Sequence, residues 1–394
     1  MRNKAVLVAD AHALGMIGVV RSLGRAGYRV HAASSQLEAL GCRSNYAACS
    51  AVHPPYSSPA FYEWLRTYVD RERIEAIVPS EMFLHVISDC YDEYRSLIPD
   101  AVPPEIWAQC MSKVSTQAAL LAAGDDGTHL PHGGVVSAGG ALPSRETVER
   151  VKGPYYLKAD AGQALAGLGS AVRRCEDAPI LLQQLAELQP HYRKLLWQGF
   201  ATGKKVGVSL WRHRGEILAE SMTLGLHTEP HTGGMMTLRK TFWHEAILAD
   251  AKQKIASLGW QGVAMMEYKW DPETNEFWFI EINARFWGYL HLDLYAGKDF
   301  PRLQMDGHFG RIHRDLGPPR RDVTCRNAVT GEIGFLTSLL KDPAVPKKCK
   351  ILEIAKFLAL FVDPRPYADL LFPGDRKLYW LAWGRLFRRW LMRA

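Results

Sequence analysis

Residues 277–291 read FWFIEINARFWGYLH. Phe277, Trp278, Phe279 and Ile280 are strand formers in an unbroken apolar run, the pattern of a strand covered on both faces. A charge inside such a strand is costly unless it is paired or holds a metal. Glu281, Asn283 and Arg285 nevertheless follow, alternating with Ile282, Ala284 and Phe286. In an extended chain these three polar groups point to one face. That face carries a carboxylate, an amide oxygen and a guanidinium, a set suited to a cation together with an anion. On this stretch alone a plainer reading stays open: a strand end entering a surface turn, with Glu281 and Arg285 as a solvated pair.

The preceding sequence sharpens the choice. WQGVAMMEYKWD and NEFWFIEIN read as two strands joined by the turn DPETN, a β-hairpin. Glu267 lies on the first strand and Glu281 on the second. A register that pairs them gives two carboxylates and Asn283 on one surface. Three hard oxygen donors suit Mg²⁺ or Mn²⁺, not Zn²⁺. Magnesium held by few carboxylates shares its remaining positions with water and nucleotide phosphates.

The N-terminal third alternates strands and helices. KAVLVAD, YRVHAAS and IEAIVPS read as strands, and AHALGMIGVVRSLGRAG, FYEWLRTYVDRER and MFLHVISDCYDEYRSL as helices. This order predicts a doubly wound parallel sheet over about residues 1–105. The turn ADAHALG lacks GxGxxG, so no dinucleotide site is expected there. Glu81 follows the third strand, where open α/β sheets present ligands, and either touches a substrate or begins the next helix. SKVSTQAALLAA is a short helix, followed by the loop GDDGTHLPHGG. VKGPYYLKAD is a strand ending in Lys158, and AVRRC its hairpin partner, with the glycine-bearing AGQALAGLGS between them. A flexible loop beside a strand-end lysine can cover phosphates, although such a loop is more often only a loop. KLLWQGF is a strand, and KKVGVSLWRHRGEILAESMTLG a hairpin turning at Arg214-Gly215. HTEPHTGGMMTLRK reads as a polar loop, and HEAILADAKQKIASLG as an amphipathic helix ended by Gly259. His227, His231 and His244 fit no metal-ligand spacing.

The chain's 394 residues suggest two or three domains. Its 47% hydrophobic and 23% charged content is that of a globular protein. No apolar run reaches the roughly 18 residues of a membrane span. The N-terminal apolar stretch is too short for a signal peptide, so a cytoplasmic protein is expected. The seven cysteines are scattered without CxxC spacing and read as reduced thiols. The net charge of +7 sits entirely from Lys341 onward, where 12 Lys/Arg face 5 Asp/Glu. A nucleic-acid-binding core is therefore not indicated. Residues 376–394, RKLYWLAWGRLFRRWLMRA, place Tyr379, Trp383, Leu386, Phe387 and Trp390 on one side of a helical wheel and Arg385, Arg388 and Arg389 broadly opposite. The helix either docks on the protein body or lies at the inner membrane face.

The motif order resembles the ATP-grasp superfamily, most closely its carboxylate–amine ligase branch, including members of cell-wall and polysaccharide pathways. The segment from Gly259 to Pro301 carries the resemblance; the family's EINPRFWGS reads EINARFWGY here, with Ala284 and Tyr289 as the departures. The resemblance implies an α/β protein: an N-terminal doubly wound parallel domain (1–110), a two-lobed α+β ATP-grasp domain (111–310, divided near 200), and a C-terminal helical extension (311–394). It implies ATP and Mg²⁺ as cofactors, with Glu267, Glu281 and Asn283 as metal ligands. Lys113 and Lys158 would neutralise phosphates, Gly162, Gly167 and Gly169 would form the phosphate loop, and Gln198 and Phe200 would line the adenine slot. Arg285, and with less support Arg239, would meet the transferred phosphoryl group. Three departures stand out: Ala159-Asp160 after Lys158 in place of a Pro-Arg pair, a phosphate loop thin in glycine, and Gly199 where the hinge strand usually carries Glu. The implied reaction activates a small-molecule carboxylate as an acylphosphate and joins it to an amine, with an amino acid or uronic acid as candidate substrates and a homodimer as a candidate assembly. The alternatives are a nucleotide binder with weakened catalysis and an ATP-dependent carboxylase.

Overall fold

The computed structural model describes residues 3–160, 163–165, 169–313 and 317–392. Among them three sheets form. Strands β1 (Ala5–Val8), β2 (Arg29–Ser34), β3 (Cys49–Val52) and β4 (Ala76–Val78) make a parallel sheet in the order β3-β2-β1-β4. The helices Leu14–Arg25 and Ala60–Glu72 connect them, as the alternating pattern predicts. Strand β3 escaped that pattern because it is a short, half-exposed edge. The expected third helix is broken into Glu81–Val86 and Tyr91–Tyr94 with 3₁₀ turns between and after.

A second, four-stranded sheet comprises β5 (Gly133–Ser137), β6 (Tyr155–Ala159), β7 (Ala171–Cys175) and β8 (Lys194–Gly199), ordered β5-β8-β6-β7. The β6–β7 hairpin sets Lys158 opposite Val172. Strand β5 begins inside a stretch that reads as loop. Gly133 is required there: a Cβ would lie 2.0 Å from the Trp197 carbonyl oxygen. Leu157, Leu181, Leu185 and Leu195 close a separate core between this sheet and the helix Ala178–Leu188.

The third sheet has seven strands: β9 (Lys204–His213), β10 (Glu216–Glu229), β11 (Met235–Thr241), β12 (Gly262–Trp270), β13 (Phe277–Asn283), β14 (Thr324–Arg326) and β15 (Tyr367–Ala368), in the order β13-β12-β9-β10-β11-β14-β15. Residues 227–240, expected as a loop, instead extend β10 and form β11, because β11 finds backbone partners on both sides in β10 and β14. One face of the sheet packs through Val206, Val208, Ala264 and Met266 on Ile247, Ala251 and Ile255 of the helix Glu245–Ser257.

The C-terminal region adds the helices Gly331–Lys341, Lys347–Val362 and Lys377–Leu391. The aromatic set read from the helical wheel splits. Tyr379, Trp383 and Leu386 pack with buried Leu378 and Ala382 against Ile17, Val329 and Leu370, whereas Phe387 and Trp390 remain exposed. Among the described residues no helix is long and apolar enough to cross a membrane.

Candidate active site

Strands β12 and β13 pair so that Glu267 stands directly opposite Glu281, and β9 places Gly207 on the other side of Glu267. Two carboxylates thus meet across the last two strands at one edge of the sheet. Each is met by a lysine: Lys205 Nζ lies 2.8 Å from Glu267 Oε2, and Lys113 Nζ lies 2.9 Å from Glu281 Oε2. Asn283 Nδ2 donates to Glu281 Oε1 at 3.3 Å. Arg285 Nη2 donates to Asn283 Oδ1 at 2.9 Å, and its Nε to Glu81 Oε2 at 2.7 Å. Glu81 therefore both opens the helix Glu81–Val86, capped by Ser80, and reaches across to the segment that follows β13.

The two carboxylates titrate in opposite directions. Burial pushes Glu267 up, and the repulsion from Glu281 adds to it against the pull of Lys205. Burial also acts to raise Glu281, but Lys113 and Lys205 outweigh it and hold Glu281 below its ordinary value. Lys113 is likewise raised: burial opposes its charge, and Glu281 more than compensates.

Lys158 is buried and donates to Gln198 Oε1 at 2.6 Å, while Gln198 Nε2 donates to Gln117 Oε1 at 3.0 Å. Burial pushes the Lys158 ammonium down to about 8, with the positive charge of Lys113 adding to the effect. Asp160, where the family pattern differs, accepts from Ser112 Oγ at 2.9 Å and from the Val114 N–H at 3.1 Å. It thereby ties the start of the helix Lys113–Ala122 to the end of β6 and keeps both lysines at one place. A cleft opens between the four-stranded sheet and β13, lined by Lys113, Gln117, Leu196, Gln198, Glu281 and Asn283 among others.

The structure thus gathers Lys113, Lys158, Gln198, Glu267, Glu281, Asn283 and Arg285 in one region. Other expectations fare differently. Gly162 and Gly167 lie outside the described residues; Gly169 is described, and its carbonyl accepts from Tyr192 Oη at 2.6 Å. Phe200 does not line the cleft; it is exposed, with its ring 6.0 Å from that of Tyr156. Arg239 requires correction: it is fully buried in β11 and bonded to the carboxylate of Asp369, so its charge is already matched within the protein. Burial opposes its charge, but Asp369 holds the guanidinium above its ordinary value. His227 faces Glu332 and Glu353, His231 bonds Ser338 and Asp342, and His244 caps the helix Glu245–Ser257. No cluster of three potential metal-ligating His, Cys, Asp or Glu side chains occurs among the described residues.

Two sequence departures acquire a physical reason. A Cβ at Gly199 would lie 2.5 Å from Val151 Cγ1, so the hinge position has no room for the usual Glu. Tyr289, replacing a small residue, is accommodated by Gly207, whose ideal Cβ would sit 1.7 Å from the phenol oxygen. Lys205 joins the same cluster, although the sequence alone does not mark it. Its signal was the spacing Lys205-x-Gly207 on the strand beside Glu267, which puts both on one sheet face once the register is known.

The donor set fits a hard divalent cation: two carboxylates and one amide oxygen on adjacent strands, with no sulfur or imidazole among them. Each of these oxygen groups is met by a basic side chain of the protein; a divalent cation would take the place of those side chains at the oxygens and leave them to pair with phosphate.

No family model matches the sequence, and no curated protein matches it. Solved structures do. L-amino acid ligase from Bacillus licheniformis aligns with 15% identity and a TM-score of 0.60 over 82% of this chain and 79% of that one. The biotin carboxylase domain of 2-oxoglutarate carboxylase from Hydrogenobacter thermophilus, solved with MgADP, ADP and bicarbonate, aligns with 17% identity and a TM-score of 0.60, over 82% and 73%. Phosphoribosylglycinamide synthetase from Anaerococcus prevotii aligns with 14% identity and a TM-score of 0.57, over 79% and 76%. The chain has the ATP-grasp fold. Within that fold the paired carboxylates occupy the large sheet, and the cleft separates it from the smaller lobe.

Proposed function

We propose that this ATP-grasp protein is an ATP- and Mg²⁺-dependent carboxylate–amine ligase. A substrate carboxylate oxygen attacks the γ-phosphorus of ATP and ADP leaves. The amine nitrogen then attacks the acyl carbon, phosphate departs, and the amine loses a proton to give the amide. The observation that carries this reading is the directly paired Glu267 and Glu281, with Lys113, Lys205 and Arg285 bound around them at the edge of the cleft. Such chemistry depends on positioning and charge neutralisation rather than on a protein nucleophile. Mg²⁺, held by Glu267, Glu281 and Asn283, would supply neutralisation of the nucleotide phosphates. Lys113 and Lys158 bind phosphate oxygens, Gln198 orients the base together with the β8 backbone, and Arg285 leaves Glu81 to hold the transferred phosphoryl group or the acylphosphate. Arg239 takes no direct part. The motif resemblance favours an amino acid or a uronic acid as the carboxylate, a role in envelope or polysaccharide assembly, a cytoplasmic location and a homodimer.

ADP release from MgATP, measured with a panel of amino acids and uronic acids, each with and without an amine, tests the reading. Release that needs one carboxylate and is lost in Glu281→Ala is expected. Release that needs bicarbonate and no amine would instead identify a carboxylase. Tight ADP binding without release on any carboxylate would favour a non-catalytic binder, a reading to which Gly199 in place of the hinge Glu lends support.

A further inference from the structure

The helix Lys347–Val362 has no buried residue, although most of its side chains are apolar. Ile351, Leu358 and Val362 are 68%, 60% and 83% exposed and recur at i, i+7 and i+11, so they form one stripe. The helix Lys377–Leu391 repeats the spacing with Trp380, Phe387 and Leu391, all more than half exposed. The two helices adjoin: the rings of Phe361 and Trp383 are 6.1 Å apart. Neither is a loose tail. Arg326 Nη1 donates to the Leu360 carbonyl at 2.7 Å and stacks over Phe361, and Leu378 and Ala382 are sealed in a core with Ile17 and Leu370. What remains bare is the outer surface. An exposed apolar area of this kind marks a docking face.

Charge selects the occupant. Across these two helices eight Lys/Arg accompany a single acid, Glu353. That acid is already engaged by Lys356 at 2.7 Å. Among the cations, Lys347, Lys348, Arg388 and Arg389 are exposed. A second copy seated on this face through a two-fold axis would oppose cationic surface to cationic surface. An anionic partner surface resolves both features, apolar and aromatic side chains entering it and cations pairing with its charge. Each helix is too short and too charged to span a bilayer.

We propose that the helices Lys347–Val362 and Lys377–Leu391 form a platform that seats the protein on an anionic lipid bilayer, lying in the interface without crossing it.

Flotation of the full-length protein with phosphatidylcholine vesicles, and with vesicles mixing phosphatidylcholine and phosphatidylglycerol, tests this. The protein is expected to float with the mixed vesicles and not with the neutral ones. Phe387→Ser with Trp390→Ser, and separately Leu358→Ser, should weaken that binding at least tenfold, because each removes apolar contact. Arg388→Glu with Arg389→Glu should do the same. All these positions are exposed, so the variants should keep the wild-type circular dichroism, and nucleotide binding reports separately on the active site. Equal recovery of wild-type protein with and without anionic vesicles would overturn the proposal. So would a solution dimer that Phe387→Ser disperses, which would assign the face to a second copy.

Discussion

Two arginines associated with the large sheet illustrate opposite situations. Arg285, just past β13, keeps 30% of its side chain exposed and bonds Glu81, which is 49% exposed. Arg239, within β11, has no exposed surface, and its partner Asp369 is 1% exposed. In sequence both are basic residues near glycines and aromatic strands, and both are reasonable phosphate ligands. The difference lies in what a ligand can displace. An exposed ion pair contributes about 0–1 kcal/mol, so exchanging its partner costs little. Opening a buried pair strands a charge and costs about 3–5 kcal/mol. The first arrangement can serve chemistry, and the second holds β11 to β15.

Substitution of each arginine should therefore fail differently. Arg239→Met is expected to lower unfolding stability by about 3–5 kcal/mol, read by urea titration, because Asp369 is left buried and unpaired. Arg285→Ala should change stability by no more than about 1 kcal/mol. It should instead reduce carboxylate-dependent ADP release about 10²–10³-fold, the scale of losing one preorganised donor at a developing charge. An exchange of these outcomes would break the comparison.

The floor of the site can be tested next. Gly207→Ala places a methyl against Tyr289 Oη, and overpacking of this kind costs about 1–3 kcal/mol. Adding Tyr289→Phe removes the clashing oxygen and should recover part of the loss in thermal unfolding.

The smallest effect concerns pH. Lys158 has its ammonium pushed down by burial to about 8, from an ordinary 10.5. Between these values the unfolded chain binds more protons than the folded one, so this residue's contribution makes stability rise with pH. Below about 8 both states are protonated and the burial penalty is fully present. The stability advantage of Lys158→Met should accordingly be largest below pH 8 and shrink toward pH 10. In the wild type, nucleotide affinity should weaken as pH rises through about 8, and Lys158→Arg should flatten that dependence.

Much of this arrangement was legible because it is local. Alternation within β13 and a short hairpin turn determine that Glu281 and Asn283 share a face, and the same hairpin brings Glu267 opposite. The parallel sheet followed from strands and helices in regular alternation. What could not be read depends on distant partners. Lys205 matters only through the β9–β12 register, and Arg239 is claimed by Asp369, 130 residues away. Gly199 reads as a lost acid in sequence, whereas in the fold Val151 occupies the space a side chain there would enter. Strand β5 was hidden because its sequence GGVVS opens with two glycines, which carry little strand preference, and the first is demanded by the approach of Trp197. The basic helix at the end of the chain was visible, but its exposed companion, Lys347–Val362, is recognisable as uncovered only in three dimensions.

The most direct test of the central claim, that Glu267, Glu281 and Asn283 hold a metal–nucleotide complex in the cleft beside β13, is calorimetric titration of ADP into wild-type protein and Glu281→Gln, each with and without Mg²⁺. Mg²⁺-dependent binding is expected in the wild type. In the variant, binding should be at least about tenfold weaker, a loss of about 1.4 kcal/mol or more, with the thermal unfolding of the apo protein little changed. Equal affinity in both proteins, or affinity indifferent to Mg²⁺, would contradict it.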